Sequence, residues 1–459
     1  MPTSYEESVA RLLGLVDHER SVPAQPRQKR IYDLRNVERL LERMGNPHRR
    51  RGVVHVAGTK GKGSTAAMVE SIARAAGYAT GFYSSPHLHS FCERIRRNGE
   101  PVSRERFAHL TDAVWPHHLD NAADPEAGPA SLFEYMTAMG FQCFAEDSVD
   151  VSAIEVGLGG RLDATNVVTP EVSVITPVSL DHMAILGDTI GEIAADKAGI
   201  IKHETPVVVG PQFSEAMDAI DRAATEQSAP VIRVGDDITW RVEKASADGQ
   251  LLEIRGRRDT YRMRLPLLGD FQGANAATAT GAAEALADAG YSIDRHAIVA
   301  GLETVQWPGR MEVLGREPTL VVDGAHNDHS VATLLATLDS YVPHRNLVVV
   351  AGFSRDKRVD AMVELLAARA HRVIATRSRH PRSMRPEEIA EQFRARGIPA
   401  ERIGITAHTG DAVSGARASA NDDDLVLVTG SLFVVAEARE AVLGIEPETY
   451  PDLLPPDLR

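Results

Sequence analysis

Residues 53–77, VVHVAGTKGKGSTAAMVESIARAAG, leave a chain few folds to choose from. The β-branched run VVHVA suits a strand buried on both faces of a parallel sheet. Gly58, Gly61 and Gly63 then break the regular backbone, and STAAMVESIARAAG has the apolar spacing of a helix closed by Gly77. The next run, YATGFYSS, reads as a second strand. Strand, glycine loop, helix and strand in that order predict a right-handed βαβ unit. The loop itself departs from the common phosphate-loop pattern G-x-x-x-x-G-K-[ST]. Val56 stands where the first glycine belongs, and Gly63 stands where the metal-binding hydroxyl belongs. The physics still favours an anion: glycines let the backbone approach, amides at a helix start point at the ligand, and Lys62 adds a charge for the outer phosphates.

The alternation continues. VDVSAIEVG, EVSVITPVSLDH and TPVVVG read as strands, IGEIAADKAGII and GDFQGANAATATGAAEALADAG as helices, and residues 31–45 as a further helix. Trp307, Pro308 and Gly309 break the pattern, after which TLVVDGAH, NLVVVAGF, HRVIATR and DLVLVTGS start a second α/β series. The predicted fold class is therefore α/β, with a P-loop-type ATPase domain on a mostly parallel sheet over residues 1–306 and a Rossmann-like domain over 309–459.

Ligands of open α/β sheets sit beyond the carboxyl ends of the strands. At those ends this sequence carries Ser84-Ser85-Pro86-His87, Glu155 among glycines, and Asp181-His182. Magnesium takes oxygen donors and shares phosphate oxygens, so Ser85 and Glu155 suit it; His182 is a softer donor. The hydroxyl missing from the loop is thus expected on a neighbouring strand end.

Bulk properties narrow the partners. A formal charge of −14 and a pI near 5.7 argue against nucleic acid. Two widely spaced cysteines, Cys92 and Cys143, imply no disulfide framework and suit a reducing cytoplasm. The start MPTSYEESVARLLGL lacks a basic, apolar export signal, and no apolar run is long enough for a bilayer, so no membrane partner is expected.

Taken together, VAGTKGKGST, GFYSSPHL, IEVGLGGRLDATN, SLDHMAILGDTIGEIAADKAGIIK and VVDGAHN resemble folylpolyglutamate synthase, the folate branch of the Mur ligase family, whose bacterial members often double as dihydrofolate synthase. The likeness runs from SYEESVARLL to VTGSLFVVAEAR. It implies a cytoplasmic, monomeric ATP-dependent ligase that joins L-glutamate to a folate or dihydropteroate carboxylate through an acyl phosphate. By residue-wise match it implies that Thr59, Lys60, Gly61, Lys62, Gly63 and Ser64 bind ATP phosphates, with Asn275, Arg310 and Asp323 also contacting the nucleotide and His326 beside them. Ser85, Glu155 and His182 fall on magnesium positions, the likeness allows a monovalent cation as a further cofactor, and Lys197 matches a lysine that similar enzymes carbamylate. Lys62, Lys197 and His326 would be catalytic. Ser131, Leu132, Phe133 and Glu134, with Leu162, Asp163 and Ala164, match the pterin-contacting segments. Lys60 departs from the Asn of many bacterial relatives. Two alternatives stand beside this reading: another Mur-type amino-acid ligase acting on a different carboxylate, and a nucleotide-binding protein without catalysis.

Overall fold

The computed structural model describes residues 3–17 and 33–450. Those residues divide into two compact units, one drawn from residues 3–17, 33–243, 251–265 and 271–305, the other from 244–250, 266–270 and 306–450. Of the helix expected over residues 31–45, positions 31 and 32 lie outside the described residues; the helix observed is Leu34–Arg43, capped by Asp33, whose side chain accepts from the Arg35 amide.

The first unit is organised by an eight-stranded sheet. Its strands are β1 (Val53–Ala57), β2 (Thr80–Tyr83), β3 (Ile95–Arg97), β4 (Glu100–Pro101), β5 (Val151–Glu155), β6 (Val172–Ile175), β7 (Val207–Val209) and β8 (Val231–Arg233), in the spatial order β4-β3-β2-β5-β1-β6-β7-β8. All neighbours from β2 to β8 are parallel; β3 and β4 add an antiparallel edge. Every residue of β1, β5 and β6 is buried, which explains their near-continuous apolar runs. A fully buried valine such as Val54 or Val56 contributes roughly 1.5–3 kcal/mol relative to an exposed one. β1 and β2 run parallel, as a βαβ unit requires, with β5 inserted between them.

An antiparallel element goes beyond what the sequence reading anticipated. Strands β9 (Thr239–Ser246), β10 (Gly249–Arg255) and β11 (Thr260–Leu265) form a three-stranded sheet in the order β11-β10-β9. Its signal was strict alternation: Tyr261, Met263 and Leu265 are buried while Arg262 and Arg264 are exposed.

The second unit holds a six-stranded sheet made of β12 (Glu312–Gly315), β13 (Thr319–Val322), β14 (Leu347–Ala351), β15 (Ala370–Ala375), β16 (Ile403–Ile405) and β17 (Leu425–Thr429), ordered β12-β13-β17-β14-β15-β16. It is parallel except for β12, which pairs antiparallel with β13. Among the described residues no helix is long and apolar enough to cross a membrane.

Candidate active site

The helix after β1 runs Lys62–Ala75, two residues earlier than its apolar pattern suggests. Gly61 is its N-cap, with φ +85° and no side chain to occupy the first amides. The leading N–H groups of a helix have no intrahelical acceptor, so this end presents donors and the positive end of the dipole to an anion. The loop is braced from the far end of β6. The amides of Thr59 and Lys60 donate to Pro177 O at 3.0 and 3.1 Å. Thr59 Oγ1 donates to Ser179 O and accepts from Ser179 N, both at 3.2 Å. Thr59 is therefore engaged in holding the loop. Lys60 directs its ammonium to Asp181, 3.5 Å from Oδ2, so its charge is partly matched from within the protein.

The helix Asp270–Asp288 closes the loop from the other side. A Cβ on Gly61 would fall 2.3 Å from Asn275 Oδ1, so glycine is needed for contact as well as for φ. Asn275 Nδ2 donates to Gln272 Oε1 at 2.9 Å, and Gln272 Nε2 donates to Ser64 Oγ at 3.3 Å. Gln272 is a site residue that sequence reasoning missed. The available signal was its position one helical turn before Asn275, on the same face.

The strand order carries the expected donors to the same sheet edge. Glu155 ends β5 and pairs in register with Val56 of β1; Ser85 follows β2, and Asp181 and His182 follow β6. These strands stand consecutively as β2-β5-β1-β6, with the glycine loop leaving β1 at the same end. Glu155 is buried, and Ser85 begins a cis Ser85–Pro86 bond. His182 adopts a left-handed backbone, φ +49°, and its side chain is 52% exposed with Nε2 3.9 Å from Asp181 Oδ1. Among the described residues no three His, Cys, Asp or Glu side chains form a cage of their own. A hydroxyl, one buried carboxylate and an accessible imidazole beside an anion-binding loop instead suit magnesium, which keeps water and phosphate oxygens in its shell.

Lys197 ends the helix Ile190–Lys197 and is only 4% exposed. Burial pushes its ammonium down to about 7, the Lys62 charge pushes the same way, and Asp196, Asp181 and Asp163 oppose them. The backbone of Lys197 touches the loop after β5: a Cβ on Gly160 would lie 2.7 Å from Lys197 O.

The expected substrate segments divide. Ser131 and Glu134 form a capping box for the helix Leu132–Glu146, with Glu134 Oε2 accepting from Ser131 N at 2.7 Å. Leu132 is buried in the core. Phe133 reaches toward the β5 loop, its ring 6.2 Å from that of Tyr83 and so close to Gly157 that a Cβ there would be 2.5 Å away. Leu162 is 40% exposed, whereas Ala164 and Asp163 are buried. The Asp163 carboxylate faces the protein, accepting from the amides of Leu158 and Thr165 at 2.9 Å each. Burial raises its pKa and those hydrogen bonds oppose the rise. Asp163 therefore shapes the loop; its carboxylate does not line an open pocket.

In the second unit Arg310, Asp323 and His326 come together. Asp323 follows β13 and accepts from Met311 N and Ala325 N, both at 2.8 Å. Burial raises its pKa while Arg310 pulls it down. Arg310 Nη1 lies 2.7 Å from where a Cβ on Gly324 would stand, and His326 Nδ1 is 2.9 Å from Gly324 O.

Comparison with known proteins places this geometry in context. The Mur ligase middle domain profile matches residues 117–283, and the Mur ligase glutamate ligase domain profile matches 309–432. The dihydrofolate synthase/folylpolyglutamate synthase of Bacillus subtilis is 35% identical over 410 residues, covering 89% of this chain and 94% of that protein. A probable bifunctional folylpolyglutamate synthase/dihydropteroate synthase of Haloferax volcanii is 37% identical over 424 residues, 90% of this chain; the chain spans 49% of that relative's length. The Mycobacterium tuberculosis folylpolyglutamate synthase complexed with ADP and AMPPCP superposes with a TM-score of 0.84 at 33% identity, covering 96% of this chain and 100% of that one.

Proposed function

Because the chain belongs to the folylpolyglutamate synthase/dihydrofolate synthase family of Mur ligases, we propose that it is an ATP-dependent ligase forming an amide between L-glutamate and the carboxylate of a folate or dihydropteroate acceptor. The observation carrying this reading is the consecutive order β2-β5-β1-β6, which gives one sheet edge Ser85, Glu155, the glycine loop and the Asp181–His182 turn.

An amine does not displace oxide from a carboxylate; the acid must first gain a leaving group. The acceptor carboxylate attacks the γ-phosphorus of ATP, ADP departs, and the acyl phosphate so formed is attacked by the glutamate nitrogen, which loses a proton as phosphate leaves. The protein's contribution is positioning and charge matching. The amides after Gly61 and the Lys62 ammonium hold the phosphates, Gln272 and Asn275 keep the loop in shape, and Thr59 braces its base. Ser85, Glu155 and His182 would hold magnesium, which when bound neutralises phosphate charge. Leu162 and Phe133 are the members of the expected acceptor segments whose placement suits an aromatic acceptor.

Lys197 has the protonation chemistry for carbamylation, because an amine held near pKa 7 is neutral often enough to add carbon dioxide, releasing a proton and becoming an anion. Arg310, Asp323 and His326 are assigned to the nucleotide on the match of their motif to the family.

The test incubates the protein with ATP, magnesium, L-glutamate and either dihydropteroate or tetrahydrofolate, reading phosphate release and product mass. One added glutamate per phosphate, lost on omitting any component or on chelating the metal, is expected. Phosphate release indifferent to glutamate and acceptor would refute the proposal.

A further inference from the structure

His55 lies in the middle of β1 and is fully buried. An imidazole inside a doubly covered strand is unfavourable where its nitrogens lack partners; Nδ1 has none among the described residues, so the partner of Nε2 matters. Its Nε2 lies 2.8 Å from Thr165 Oγ1, and Thr165 Oγ1 lies 2.5 Å from Asp163 Oδ1. Both Asp163 oxygens accept backbone amides and so act as a carboxylate; the threonine hydrogen then points to Asp163, and the hydroxyl oxygen accepts from His55. The chain of donors therefore runs one way, His55 to Thr165 to Asp163, with the imidazole proton on Nε2. Burial agrees with a neutral ring, pulling its pKa down to about 3.

Asp163 passes this restraint to the loop between Glu155 and Thr165. It takes the amides of Leu158 and Thr165, at the two ends of the loop. Between them Arg161 N donates to Asp196 O at 2.9 Å, and Asn166 Nδ2 donates to Arg161 O at 2.9 Å and Gly199 O at 3.1 Å. The same loop carries Leu162 outward and packs Gly160 on Lys197. His55 also stands three residues before Gly58, on the strand that launches the phosphate loop.

We infer that His55 is a positioning residue for acceptor binding, acting through Thr165 and Asp163 to hold the 157–164 loop so that Leu162 meets the pterin-type ring. This inference rests on the ligase reading above. The alternative is a histidine that merely fills the core.

The test compares His55→Leu, which removes the donor, with His55→Gln, which places an amide donor at similar reach. Thr165→Val cuts the chain at its centre without changing volume, and serves should His55→Leu fold poorly. Two readouts are taken: amide hydrogen exchange at Leu158 and Thr165, and the Michaelis constants for ATP and for whichever of dihydropteroate and tetrahydrofolate is turned over. Loss of a hydrogen bond into a charged network predicts about tenfold faster exchange in the loop and about a tenfold higher acceptor KM. ATP KM and kcat should move less than about threefold, and His55→Gln should restore most of the loss. Unchanged exchange in both His55→Leu and Thr165→Val overturns the positioning role whatever the substrate. Faster exchange with an unchanged acceptor KM overturns the link to the acceptor, and Leu162→Ala then tells which part failed. A raised KM in Leu162→Ala keeps the acceptor pocket and removes His55 from it; an unchanged one removes the pocket from this loop. Parallel losses in every parameter, with no rescue by Gln, leave only core packing and also overturn the inference.

Discussion

Replacing Gly61 with alanine should separate the loop's backbone conformation from its role in nucleotide binding. Gly61 has φ +85°, and Gly77, at the far end of the same helix, has φ +88°. A left-handed alanine costs roughly 1–2 kcal/mol at either position. At Gly77 nothing lies within 4 Å of the new methyl group. At Gly61 the methyl would lie 2.3 Å from Asn275 Oδ1, 3.0 Å from its Cγ and 3.1 Å from its Nδ2. Asn275 is buried and must turn aside, breaking its bond to Gln272 and loosening that of Gln272 to Ser64. At about 1 kcal/mol per hydrogen bond, the excess of Gly61→Ala over Gly77→Ala is roughly 2 kcal/mol. If that excess falls on the shape of the anion-binding loop, ATP affinity drops about thirtyfold in Gly61→Ala alone. The assay measures ATP KM together with the thermal stabilisation produced by ATP and magnesium. Equal ATP KM values in the two variants would refute the reasoning, since the clash would then be absorbed without disturbing the site.

Two further outcomes follow from the titrating and charged groups. Lys197 has its pKa lowered from 10.5 to about 7, so between those values the unfolded chain binds the extra proton and folding stability rises with pH. In buffer free of carbon dioxide, the wild type should gain stability relative to Lys197→Met from about pH 7 to 10.5 in denaturant melts; a flat difference would show the amine is not held neutral. Arg310→Ala should lower turnover by about a thousandfold while changing the melting temperature little, because its partner Asp323 keeps the amides of Met311 and Ala325. Turnover and stability falling together would count against a role for Arg310 at the nucleotide.

Much of the first unit was open to reading. The runs that became β1, β5 and β6 are apolar because both faces are covered, and their carboxyl ends could be named before any neighbour was known. Three features were not open. The insertion of β5 between β1 and β2 rests on pairings between residues far apart in sequence, such as Val53 with Ser152 and Thr80 with Val151. The β9–β11 sheet announces itself only by alternation, which is weaker than a long apolar run. The family match set Asp163 in the acceptor pocket, yet its partners are amides and a hydroxyl within the same loop.

Residue type and spacing alone thus determined which chemical groups this chain owns: an anion-binding loop and hydroxyl, carboxylate and imidazole donors at strand ends. Tertiary structure decided which of those groups are available. Burial brings Lys197 toward neutrality, Asn275 and Gln272 close on Gly61, and Asp163 turns inward beneath His55 and Thr165. The physical reason is that a side chain's chemistry is intrinsic, whereas its solvation and partners depend on residues distant in sequence that arrive only when the sheet assembles.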